Sequence, residues 1–149
     1  LRDDCDSPEL EEIARQKIDE RFTIEQEIRL DGAARERVIK RTRGGNWNEK
    51  GREETIGPTL AFLCRNAPEP GPLPDNMSAA KVAKRYPQVH HTDVLIKRAI
   101  RAAINKVAPT SFSRVAIHAT DNPMEAVKTL RAILDDKARA FLEDFAKGP

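Results

Sequence analysis

Residues 67–76, APEPGPLPDN, hold four of the chain's ten prolines. Each proline removes a backbone donor and pushes its predecessor into extended geometry, so no helix can run through this stretch. It reads as a stiff, polyproline-like connector. The fold must therefore be assembled from a segment on either side, residues 1–66 and 77–149. The 149 residues suffice for one compact domain or for two small lobes sharing an interface.

Both segments carry apolar residues at helical spacing. Ser7-Pro8-Glu9 announces a helix with a capping serine and a proline where no hydrogen bond is lost. Leu10, Ile13, Ala14, Ile18 and Phe22 follow on one face. Thr23-Ile24-Glu25-Gln26 has the form of a capping box that restarts a helix. Ile24, Ile28, Ala34, Val38 and Ile39 then share a side, with Gly32 weakening that helix by about 1 kcal/mol relative to alanine. Residues 40–55 show no apolar period and hold three glycines, which predicts a loop. Gly57-Pro58 opens a short apolar helix through Leu60, Ala61, Leu63 and Cys64.

Beyond the connector, Ser78 caps a helix that Pro87 ends, with Ala79, Val82, Ala83 and Tyr86 on one side. Thr92 caps the next, whose stripe is Ile96, Ala99, Ile100, Ala103, Ile104 and Val107. Residues 113–119 alternate as a short strand, and a lone strand must pair elsewhere to satisfy its backbone. Asn122-Pro123 opens a last helix with Met124, Val127, Leu130, Leu134, Ala138, Phe141, Leu142 and Phe145 on one arc, and Asp135-Asp136 is where it can break. The expected fold is mainly α: an acidic helical lobe over 1–66 with a basic, glycine-rich loop, a linker over 67–76, and a basic helical lobe over 77–149. One short β pairing near 113–119 is the exception the pattern allows. Aromatics at only 5% argue against a β-sandwich.

The net charge of +2 hides a strong asymmetry. Residues 1–39 carry a net of −5, and residues 77–118 a net of +7 with Asp93 as their only acid. Lys81, Lys84 and Arg85 fall opposite the apolar stripe of one helix, and Lys97, Arg98 and Arg101 opposite that of the next. Two short helices with basic outer faces make a phosphate-binding surface. The connecting YPQVHHT is longer than the turn of a helix-turn-helix. Solvated faces, or faces that answer residues 1–39 or an acidic partner, are the alternatives. Arg41, Arg43 and Trp47 in the 40–55 loop are further candidate contacts, since such loops can stack an aromatic on a base; a tryptophan folded back onto the core is the plainer outcome.

Little points to catalysis. His90-His91-Thr92-Asp93 lacks clustered metal ligands, no nucleophile has a local base, and Arg43-Gly44-Gly45 lacks the spacing of a phosphate loop. No metal or cofactor is expected. Cys5 and Cys64 lack the spacing of a zinc or redox pair, and an exposed free Cys5 with a buried Cys64 is favoured over a disulfide. No apolar run approaches the roughly 20 residues of a membrane span, and no leader pattern opens the chain. A chain starting at Leu1 reads as a trimmed product or fragment. An intracellular location, cytoplasmic or nucleoid/nuclear, is expected. The leading expectation is a non-enzymatic nucleic-acid-associated, DNA-binding type of protein. The alternative is an adaptor or assembly subunit that oligomerises or docks through Phe141, Leu142 and Phe145.

Overall fold

The computed structural model describes residues 1–42, 56–74, 77–109 and 115–146. In chain order the regular elements are α1 (Pro8–Asp19), β1 (Phe22–Arg29), α2 (Gly32–Arg41), β2 (Leu60–Asn66), α3 (Ala79–Arg85), α4 (Lys97–Val107), α5 (Pro123–Leu134) and α6 (Ala138–Ala146). The protein is mainly helical with one short antiparallel pairing, β1 with β2. That pairing is not where the alternation at 113–119 pointed. Residues 115–120 belong to no strand, and the Ala116 carbonyl accepts from the Arg2 backbone N–H at 3.1 Å. Residues 110–114 lie outside the described residues.

Both strands fall where helices were expected. In β1 the capping-box pattern is overridden by β-branched Thr23, Ile24 and Ile28, which suit a pleated, half-buried surface. In β2 the five-residue apolar run 60–64 fits either state by periodicity, and the partner strand decides. The register runs from Phe22 opposite Asn66 to Arg29 opposite Leu60, with an irregularity between Ile24 and Gln26. Glu25 is the extra residue there, a β-bulge. Ile24 and Ile28 would share a face in a regular strand. The bulge turns them to opposite faces, because Ile24 pairs with Cys64 and Ile28 with Ala61, three residues apart on β2.

The sheet consequently serves two cores. On one face, Leu10, Ala14 and Ile18 of α1 and Ile100 and Ile104 of α4 pack with Leu60, Ile24, Phe62 and Cys64. On the other, Val38 of α2 meets Ala132 and Ile133 of α5, with Ile28 and Ala61 against them. Helices from both sides of the proline-rich stretch thus contribute to each core. Arg37 of α2 closes the second layer by donating to the Ala132 and Ile133 carbonyls at 2.9 and 3.2 Å.

The helix signals fare better than the strand signals. Ser7, Ser78 and Asn122 side chains cap α1, α3 and α5. Asp31 caps α2, so Gly32 sits at the first helical position, where its entropic penalty matters little. Thr92 does not cap α4: residues Thr92–Ile96 form a 3-10 turn that leads into it. Asp135, at φ 52°, starts the 3-10 turn that separates α5 from α6. Several stripe residues remain outside the cores. Ala79, Ala83 and Ala99 are exposed, and so are Val107 and Met124. Cys5 is buried, not exposed, Cys64 is half-buried, and neither forms a disulfide.

Candidate nucleic-acid interface

Tyr86, which follows α3, and Lys97, Arg98, Arg101, Ala102 and Asn105 of α4 line one open groove of about 440 Å³. α3 delivers Lys81, Lys84 and Arg85, all exposed. Tyr86 follows as its C-cap, outside helical geometry, so its ring leaves the apolar stripe assigned to it from periodicity. Its hydroxyl accepts a 2.6 Å hydrogen bond from Arg98 Nη1. This bond ties the basic end of α3 to the first turn of α4.

The six cations singled out from the sequence separate into two kinds. Arg98 is exposed beside the α3 residues. Lys97 and Arg101 are turned to the protein's own acceptors. Lys97 Nζ donates to Asp121 Oδ1 at 2.5 Å, with both side chains mostly covered. Arg101 donates from Nε and Nη2 to the Ile117 carbonyl at 2.8 and 2.6 Å. Burial holds the Arg101 guanidinium below its usual pKa, against the opposing pull of Asp121. Asp121 is the hub beneath the groove. It also accepts from Gln88 Nε2 at 3.0 Å, and its carbonyl accepts from His90 N–H at 2.9 Å. Burial alone would raise the Asp121 pKa, but the Lys97 and Gln88 hydrogen bonds and the Lys97 charge hold it below the usual value.

His118 stands under the same floor. Burial lowers its pKa, Glu125 and Asp121 pull the other way, and Lys97 and Arg101 add to the lowering. Its Nε2 is buried without a hydrogen-bond partner among the described residues. Asp93, the only acid of residues 77–118, is absent from the basic surface. It is buried, accepts from Gly71 N–H at 3.1 Å, and lies 3.7 Å from Arg21 Nη1 and from His91 Nδ1. His91, half-buried where an exposed imidazole was expected, also has Nε2 3.0 Å from the Ala67 carbonyl. These contacts fasten the proline-rich stretch to the second half of the chain.

The acidic residues of 1–39 are engaged largely within that half. Arg15 bridges Glu12 and Glu27, Lys17 holds Glu20, Arg29 grips the buried Glu11, and Arg35 holds Asp3. Arg65 of β2 takes Glu25 at 2.8 Å. The charge asymmetry of the sequence is thus met locally on the acidic side.

The other candidates lie apart from the groove. Arg41 ends α2 in the helical layer across the sheet from α4, while Arg43 and Trp47 fall outside the described residues. Phe141, Leu142 and Phe145 on α6 are half-buried. The two phenylalanine rings stack at 6.0 Å, and Arg65 lies over Phe145 at 4.1 Å from its centroid. The chain's own β2 therefore covers part of this stripe. Tyr86, Asn105 and Asp121 were not anticipated as site residues. Only Tyr86 had a usable signal, an aromatic next to Pro87 between two basic helices. Comparison with protein-family models, with curated proteins and with solved structures gives no match to this chain.

Proposed function

We propose that the protein is a non-enzymatic nucleic-acid-associated protein whose phosphate-contacting surface is the groove between α3 and α4 and its rim. The observation that carries this reading is the Tyr86–Arg98 hydrogen bond, which joins the first turn of α4 to the residue that directly follows Lys84 and Arg85, all three cations being exposed. Their charge has no acid of residues 77–118 beside it, because Asp93 is buried elsewhere. Lys97 and Arg101 act differently. Arg101, held by the neutral Ile117 carbonyl, keeps its positive charge on the groove lining and contributes potential more than direct contacts, whereas the Lys97 charge is matched by Asp121.

Phosphate binding of this kind releases counterions and weakens with salt. The test is titration of the native protein against mixed-sequence DNA, single-stranded and duplex, at low and high salt. Binding that falls steeply with salt, and that is weaker and less salt-dependent in the Lys84→Ala/Arg85→Ala/Arg98→Ala variant, supports the reading. No binding to either form at low salt overturns it.

An adaptor or assembly role is the second reading, favoured by one observation. Met124, 77% exposed, lines an open groove of about 500 Å³ with Val127, Lys128 and Arg131 on α5. A molar-mass measurement on the same samples tests it: a stable oligomer without nucleic acid supports it, and a monomer at high concentration removes self-assembly.

A further inference from the structure

The α3–α4 groove has features that a plain phosphate-binding surface does not require. It is open, and it carries an aromatic ring and an amide-bearing side chain among its cations. The side chains that would read base edges in a duplex major groove are committed within the protein. Lys97 is held by Asp121, Arg101 by the Ile117 carbonyl, and Asn105 Nδ2 donates to the Arg101 carbonyl at 2.8 Å. The opposite face of α4 is sunk in the core through Ile100 and Ile104. A helix pinned on one side and buried on the other is poorly suited to major-groove readout, which needs side chains projecting toward the bases.

The geometry points to an unpaired nucleotide as the occupant: single-stranded nucleic acid, with a base laid against the Tyr86 ring and a neighbouring phosphate on Arg98. This rests on the nucleic-acid reading above and narrows it. A half-buried ring that lines the open groove and an exposed guanidinium joined to it by a 2.6 Å hydrogen bond place an aromatic and a cation side by side. Single strands offer both partners at once, a base face and a phosphate, whereas a duplex keeps its base faces stacked inside. The pinned Arg101 supplies background potential without base selectivity, and Lys97 is matched by Asp121, so the site is expected to tolerate any sequence.

The test uses fluorescence anisotropy on the native protein with three short labelled DNA probes of equal length: a mixed-sequence single strand, its duplex, and a strand of abasic residues. The single strand is expected to bind most tightly. The abasic strand, with the same phosphates, is expected to bind between about fivefold and a hundredfold more weakly, the range of one base–aromatic stack. Tyr86→Ala should weaken binding of the single strand by a similar factor and that of the duplex little, while Tyr86→Phe, which keeps the ring, should have a much smaller effect. The abasic comparison needs no variant and decides the matter even where Tyr86→Ala fails to fold. Duplex bound as tightly as the single strand, or an abasic strand bound as tightly as one with bases, overturns the inference and leaves the phosphate-binding surface standing. Absence of binding to all three probes overturns both.

Discussion

Removing the Lys97 ammonium while keeping its stem, as in Lys97→Met, separates a cation that holds the fold from one that holds a ligand. Lys97 and Asp121 side chains are 12% and 15% exposed, and their 2.5 Å contact underlies the turn between α3 and α4. Breaking a fully buried pair costs about 3–5 kcal/mol, and a hydrogen bond to a charged group is worth about 1.5–3. Since both groups keep some water and Asp121 retains Gln88, a loss of about 1–2 kcal/mol is expected, or roughly 2–8 °C in melting temperature for a chain of this length. Urea unfolding followed by circular dichroism reads it directly. Lys97→Met/Asp121→Asn should recover part of the loss, because no unpaired carboxylate remains. The acid limb gives a second reading. The Asp121 pKa is depressed in the folded protein, so its stabilisation is present above the ordinary value of 3.8 and is lost as pH falls through the depressed one. In Lys97→Met that loss should shrink. Stability unchanged within about 0.5 kcal/mol, together with abolished nucleic-acid binding, would refute the reasoning and make Lys97 a ligand contact.

Two further outcomes follow from the layers and from His118. Ile104 is fully buried in the core shared by α1, α4 and β2, so Ile104→Ala should cost about 2–5 kcal/mol; in a single unfolding transition the buried Cys5 thiol becomes reactive as α4 unfolds, and a Cys5 that stays protected through an earlier loss of α4 would contradict the shared core. Because burial lowers the His118 pKa, the unfolded chain binds the proton more readily, and stability should rise with pH between the depressed value and the ordinary 6.5 and be lost on acidification. His118→Gln should remove that slope from the pH profile of urea midpoints, and an unchanged slope would place its origin elsewhere.

What could be read from the chain alone was whatever is local. Ser7, Ser78 and Asn122 mark three helix starts because a cap acts on an N–H three residues away. Asp135-Asp136 marks the break before α6 for a similarly local reason. The strands were misread because what determines them is not local. Thr23-Ile24-Glu25-Gln26 satisfies a helix-start pattern by itself, and only β2, on the far side of α2, makes it a strand. The groove followed the same rule. Its cations were visible as charge opposite an apolar stripe. Their division was not, since the Lys97 partner is 24 residues away and the Arg101 acceptor is a backbone carbonyl, which no residue type announces. The burial of Asp93, which leaves the surface basic, also depends on remote Gly71 and Arg21.

Two charge-matched variants separate a built surface from diffuse positive charge. One replaces Lys84, Arg85 and Arg98 at the groove rim with alanine; the other replaces Lys128, Arg131 and Lys137, exposed on α5 and the turn after it. Each change lowers the net charge by the same amount, so any effect of overall charge on binding is shared. The slope of log affinity against log salt on mixed-sequence DNA should flatten by about two to three units in the rim variant, at roughly 0.7 to 0.9 for each phosphate no longer neutralised. In the α5 variant it should change by less than about one unit on the same scale. Equal flattening in both, or a steeper effect from the α5 set, would contradict a phosphate-binding surface at the α3–α4 groove.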